Sequence, residues 1–151
     1  AYSLEQGLRE FYLKMSEQVN NEAARKTFLK LSEVEVIHQD YLLKQYQDSI
    51  DGEMSREKLE QAVHASVLEG GLTTEAYLAA YGTDPHSPQE VVSMAMAIEA
   101  QALDLYERAA NQTGNASTRS MLRKIADEEK HHLAHLGQLM DSMITNGSRH
   151  G

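Results

Sequence analysis

The amino-acid sequence predicts an all-α protein: a four-helix bundle with a long crossover between the second and third helices that itself contains short helices. Three observations lead there. Leu, Ala, Glu, Lys, Gln and Met dominate and there are only two prolines, a composition that favours helix propagation. No Val-, Ile- or Thr-rich stretch alternates with a period of two, so a strand signal is absent. Apolar residues recur instead at spacings of three and four, in segments divided by turn-forming clusters. The 151 residues suffice for one domain with a real core, read as residues 1–151, and are too few for two comfortable ones.

The first helix spans residues 1–19, with Leu4, Leu8, Phe11, Tyr12 and Met15 on one stripe. "VNNE" breaks the period and supplies an asparagine cap for the second helix, residues 22 to about 47, whose stripe holds Phe28, Leu31, His38 and Leu42. Residues 48–87 are different. "DSIDGEMS", "EGGLTT" and "YGTDPHS" are turn-rich and enclose two short helical patterns, roughly 56–68 and 74–81. The third long helix opens at "SPQE", where Ser87 is the cap, Pro88 suits the first helical position and Glu90 completes a capping box. It runs to "NQTGN", with Gly114 as a left-handed stop. The fourth runs from about Ala116 to Thr145 and ends before Gly147. Two short-loop pairs joined by one long connection give a ferritin-like bundle topology rather than a simple up-and-down bundle. The first helix has four residues before Glu5, whereas the third has about a dozen before Glu99, so the natural chain is expected to begin earlier.

Charge and cysteine usage narrow the function classes. A net charge of −9 argues against a nucleic-acid partner, which needs a basic stripe. There is no cysteine, hence no disulfide, thiolate metal site or iron–sulfur cluster. No apolar run is long enough for a membrane span, and no signal segment opens the chain. A cytoplasmic location fits these features.

An internal repeat carries the functional reading. With residues 1–44 laid over 95–138, Glu5 aligns with Glu99, Tyr12 with Tyr106, Asn21 with Asn115, Arg25 with Arg119, Glu35 with Glu129, His38 with His132 and Leu42 with Leu136, without a gap. Each half therefore offers one glutamate on its first helix and Glu-x-x-His on its second. A lone Glu-x-x-His is weak evidence; two at equivalent positions, each thirty residues after an equivalent glutamate, are far stronger. The midpoint of Glu5 and Glu35 is residue 20 and that of Glu99 and Glu129 is residue 114, both in turns. In an antiparallel pair the two acids of each half thus stand at one height, about 22 Å from the turn at ~1.5 Å per residue. Glu and His three positions apart share a face, and the core-spaced neighbours Phe28, Leu31, Leu42, Leu122, Ile125 and Leu136 turn that face inward.

Four inward carboxylates would each cost several kcal/mol unpaired, and no lysine or arginine is placed to pair with them all. Two divalent cations balance four negative charges, with two neutral imidazoles completing the shells. Carboxylate and imidazole donors without thiolate suit iron(II) or manganese. Glu128, His131 and His135 form a neighbouring face whose counterparts are Val34, Ile37 and Tyr41. The duplicated site therefore does not include them, and they read as a solvated or crossover-facing polar patch in preference to a second metal site. Arg25 and Arg119 read as structural residues near the two turns; His64 and His86 receive no role.

The arrangement resembles the rubrerythrin-type branch of the ferritin-like di-iron carboxylate proteins, over nearly the whole chain. That resemblance implies Glu5, Glu35, His38, Glu99, Glu129 and His132 as ligands of two iron ions, with manganese or a mixed pair as alternatives and two of the carboxylates bridging. It also implies that Tyr12 and Tyr106 hydrogen-bond ligand carboxylates across the bundle, although both also suit ordinary core positions. The chain departs from the family pattern twice. It has no cysteine-rich rubredoxin domain, so electrons would come from an external donor protein. The family's extra glutamate, one turn beyond the third-helix ligand, is here Ala102, which makes the site more symmetric and closer to the bacterioferritin pattern. The resulting expectation is an oxidoreductase that reduces peroxide or O2. Its alternatives are a ferroxidase or iron-handling protein and a helical interaction module. A homodimer is expected from fold analogy.

Overall fold

In the computed structural model, residues 1–49, 55–62, 68 and 72–147 are described. They form helices α1 (Tyr2–Gln18), α2 (Glu22–Ser49), α3 (Arg56–Ala62), α4 (Thr74–Tyr81), α5 (Pro88–Gln112) and α6 (Ala116–Gly147), with no strand among the described residues. The long helices pair as α1 with α2 and α5 with α6, and the two hairpins pack together through α1 against α5 and α2 against α6. This is the all-α, ferritin-like bundle expected from the sequence. Of the crossover, the second short helix falls where the periodicity placed it. The first is described to Ala62, and residues 63–67, with His64 among them, lie outside the described residues.

The two hairpin turns are built alike, as the repeat requires. The Ala24 amide donates to Asn21 Oδ1 at 2.9 Å and the Thr118 amide to Asn115 Oδ1 at 3.0 Å, so the aligned asparagines are both helix N-caps. Each preceding helix ends on an extended residue, Val19 (ψ 130°) or Thr113 (ψ 133°), whose amide still bonds back to Met15 or Ala109. Gly114 is consequently not the left-handed stop its position suggested; among the described residues only Gly82, closing α4 at φ 62°, has positive φ. Arg119 donates to the Thr113 carbonyl at 2.7 Å, satisfying a helix-end acceptor. Arg25 pairs with Glu22 on the surface.

Ser87 caps α5 as expected, accepting from the Glu90 amide, with Pro88 in the first turn. Glu90 does not close a capping box, because its carboxylate takes the Asp84 amide at 2.9 Å and ties the preceding turn to the helix instead. The last helix continues to Gly147, two residues beyond the expected end. The short helices are pinned to the bundle by polar contacts. Arg56 of α3 reaches Gln39 at 3.0 Å, Tyr2 at 3.4 Å and Asp40, Lys14 of α1 pairs with Glu75 of α4, and Tyr77 donates to Gln101 at 3.2 Å.

The core runs between the four long helices. Leu8, Phe11, Tyr12, Met15, Phe28, Val91, Val92, Ala95 and Ile125 are fully enclosed. Tyr12 packs edge-on to Phe11 (5.5 Å between centroids) and stacks on Phe28 (5.7 Å), contacts worth about 0.5–1.5 kcal/mol each beyond burial. Phe28→Ala is therefore expected to cost about 3–5 kcal/mol, read as a lowered denaturant midpoint; a loss below about 1 kcal/mol would mean that this ring is not packed as described.

Candidate metal centre

Midway along the bundle the apolar core gives way to acids. Glu5, Glu35, Glu99, Glu129 and His38 are each 0% exposed and His132 is 4% exposed. One glutamate comes from each of α1 and α5, and a Glu–His pair comes from each of α2 and α6. All six residues singled out from the repeat thus converge. Their donor atoms fall into two overlapping groups, Glu5–Glu35–His38–Glu129 and Glu35–Glu99–Glu129–His132, and within each group they lie within 4.8 Å of one another. Glu35 and Glu129 belong to both.

Both imidazoles point Nδ1 inward. His38 Nδ1 is 3.0 Å from Glu5, 3.1 Å from Glu35 and 3.3 Å from Glu129. His132 Nδ1 is 2.9 Å from Glu129, 3.3 Å from Glu99 and 3.6 Å from Glu35. The rings stack with centroids 5.6 Å apart and planes 24° apart. Outside the acids lie the tyrosines, each reaching across the bundle: Tyr12 donates to Glu99 and Tyr106 to Glu5.

One contact departs from the expected pattern. Glu128 was assigned to a separate polar patch because its repeat counterpart is Val34, yet its Oε2 accepts from His38 Nε2 at 2.9 Å. It stands one residue before the Glu-x-x-His of α6, on the flank turned toward α2. An acid immediately preceding that motif was the available signal. His131 and His135 are exposed and line a cavity of about 700 Å3 along α2 and α6. They share that cavity with α2 residues such as Thr27 and Lys30, and their exposure is what a solvated polar patch implies. His86 stays at the surface, its Nδ1 3.3 Å from the Gln18 carbonyl.

Electrostatics record how poorly such a cluster tolerates four free charges. Burial and the neighbouring Glu129 push Glu99 up to about 8. Burial, with the surrounding acids, also raises Glu35. Burial acts against the charged form of Glu129, but the His132 and His38 rings beside it prevail and hold it near 2. Burial likewise opposes charge on the imidazoles and is outweighed by the carboxylates, so His132 rises to about 9 and His38 is raised strongly. Tyr12 and Tyr106 are raised by burial and by the adjacent acids, so their hydroxyls keep their protons as donors.

Even so, donors are left over. Glu35 Oε1, Glu99 Oε2, both Glu129 oxygens and His132 Nδ1 are buried without a well-formed hydrogen bond, the close His132–Glu129 and His38–Glu129 approaches being ion pairs rather than aligned hydrogen bonds. Three of these atoms belong to Glu35 and Glu129, the two residues common to both groups. Hard oxygen and imidazole donors without sulfur, unsatisfied and convergent, fit divalent iron or manganese.

Comparison with known proteins agrees with the chemistry. The rubrerythrin family model matches residues 1–140. The chain belongs to the rubrerythrin family. No curated protein matches it by sequence. A hypothetical protein from Pyrococcus furiosus shares the fold, with a TM-score of 0.67 at 18% identity over 95% of this chain and 88% of that one. Rubrerythrin membership implies an iron site, and the two donor groups are the buried chemistry available for it. Ala102, in place of the family's additional glutamate, is fully enclosed and offers no donor.

The protonation pattern sets a pH dependence for the metal-free protein. His132 (ordinarily near 6.5, here about 9) stabilises the fold below about 6.5, and that contribution is lost as pH rises through 9. Glu99 (ordinarily near 4.5, here about 8) acts in the same direction, its contribution fading between those values. Folded chains thus bind more protons than unfolded ones across this window. With chelator present, the melting temperature should fall from pH 5 to 9; a divalent ion, by replacing those protons, should flatten the trend. A chelated protein that grows more stable over that range would contradict this protonation pattern.

Proposed function

We propose that this rubrerythrin-family chain is a di-iron oxidoreductase that reduces peroxide or O2 with electrons from an external donor protein. The observation that carries the reading is the pair of interlocking donor groups, sealed in the core and sharing Glu35 and Glu129. Glu5, Glu35, His38 and Glu129 would hold one ion; Glu35, Glu99, Glu129 and His132 would hold the other. When bound, adjacent irons supply two electrons together, which lets an oxidant be reduced without releasing a radical. Reduction of peroxide to two waters consumes two electrons and two protons.

The chain's own groups perform the remaining tasks. Tyr12 and Tyr106 each hold one oxygen, of Glu99 and Glu5 respectively, fixing the orientation of the non-shared carboxylates. Burial of all four acids excludes bulk water and strengthens every interaction inside. His132 is the ligand that borders the cavity along α2 and α6, which makes that side the shortest path inward for a small oxidant. These 151 residues contain no cysteine, so the bundle itself offers no thiolate electron relay, and in this reading the electrons enter from a donor outside it. Among the described residues no helix is long and apolar enough to cross a membrane.

Ala102 favours a second reading. Without the additional glutamate the donor set is symmetric, which suits a ferroxidase that oxidises iron and passes it on. Mixing anaerobic ferrous protein with peroxide or O2 in a stopped-flow instrument should produce a rapid ferric absorbance. Repeated turnover with an added electron donor supports the oxidoreductase, and a single turnover followed by iron release supports the ferroxidase. Glu35→Ala or Glu129→Ala, removing a shared ligand, should abolish binding of both ions by metal analysis while the helical signal persists. Retention of both ions would refute the bridging assignment.

A further inference from the structure

The two halves of the centre are related by the repeat, and nearly every group has its mate. Glu5 answers Glu99, Glu35 answers Glu129, His38 answers His132, and the tyrosines exchange hydrogen bonds between halves. The symmetry breaks one residue before each Glu-x-x-His, where α6 carries Glu128 and α2 carries Val34. Glu128 accepts from His38 Nε2 at 2.9 Å. Val34 has no polar atom to offer. Among the described residues no hydrogen bond reaches His132 Nε2, and both Val34 and His132 line the cavity of about 700 Å3 along α2 and α6.

We propose that the two metal positions are unequal: the Glu5–Glu35–His38–Glu129 position binds its ion more tightly and fills first, because Glu128 positions His38 while Val34 leaves His132 unsupported. This rests on the metal-centre reading above. A carboxylate on the outer ring nitrogen holds the N–H there, so the inner nitrogen presents its lone pair to an ion. It also locks the ring's rotation before the ion arrives and makes the imidazole a stronger donor. Partners of this kind are worth about 10–100-fold in metal affinity. His132 has none of these aids. On the α2 side the cavity is lined by Leu31, Val34 and Ile37 together with Thr27 and Lys30, and among the described residues none of them hydrogen-bonds the ring to fix which nitrogen carries the proton. Glu128 is a positioning residue acting through His38, and the asymmetry makes the His132 position the more exchangeable of the two.

Cobalt(II) is the probe, since it reports by absorbance, calorimetry and anomalous scattering without oxidant turnover. Titration of the metal-free chain should resolve two steps separated by about tenfold or more, and crystals grown with one equivalent should show anomalous density at the His38 position. Glu128→Val, which copies the other half, should weaken the first step by about tenfold and merge the two; Glu128→Gln, which keeps an acceptor, should recover part of the difference. Val34→Glu should strengthen the second step. Two indistinguishable steps in the native chain, density at both positions at one equivalent, or equal weakening of both steps in Glu128→Val would overturn the inequality while leaving the metal centre intact. Failure to bind cobalt at either position would overturn the metal-centre reading itself. If Val34→Glu fails to fold by circular dichroism, the two Glu128 variants decide the matter alone.

Discussion

Mutual repulsion among four carboxylates inside an apolar core is the constraint around which this molecule is organised. Glu5, Glu35, Glu99 and Glu129 are enclosed completely, and desolvated like charges at these separations are far more costly than in water. The chain meets this cost from several sides at once. Tyrosine hydroxyls take one oxygen of Glu5 and one of Glu99, two imidazoles face inward, and Glu99 leans toward its protonated form. The orphaned oxygens that remain are those a pair of divalent ions would satisfy. A buried cluster of this kind gives up stability that an apolar core would keep, the usual relation between a fold and its functional cluster.

The helices serve this cluster by setting heights. Identical asparagine caps start α2 and α6, and each hairpin turn lies equally far from its two acids. The rise of a helix is fixed by its backbone hydrogen bonds, so the acids of a hairpin meet face to face without any loop having to be precise. The crossover is excused from that task. Its short helices are attached by surface contacts such as Arg56 to Asp40 and Lys14 to Glu75, and its described residues contribute nothing to the two donor groups.

Much of this was legible in the sequence because it is periodic or duplicated. Helix boundaries followed from apolar spacing and from caps, and the six convergent residues followed from the repeat, in which a coincidence at one position is tested at another. What escaped was local and unpaired. Glu128 was set aside because Val34 is its mate, a logic that finds shared features and is blind to asymmetric ones. Gly114 and Glu90 fit familiar motifs by residue type, but the chain used other means: Thr113 ends α5 in an extended conformation, and the Glu90 side chain bonds to Asp84. Residue type states what a position permits, whereas the competing partners nearby decide which option is taken.

The reciprocal reach of the tyrosines has a consequence for how the molecule comes together. Tyr12 belongs to the first hairpin and serves an acid of the second, while Tyr106 does the reverse; each donor group likewise borrows a glutamate from the opposite hairpin. Neither hairpin therefore owns a complete donor group, and each supplies what the other lacks. The polypeptide behaves as a two-fold partnership of hairpins in one continuous chain, with the crossover acting as a tether that keeps the two at high local concentration.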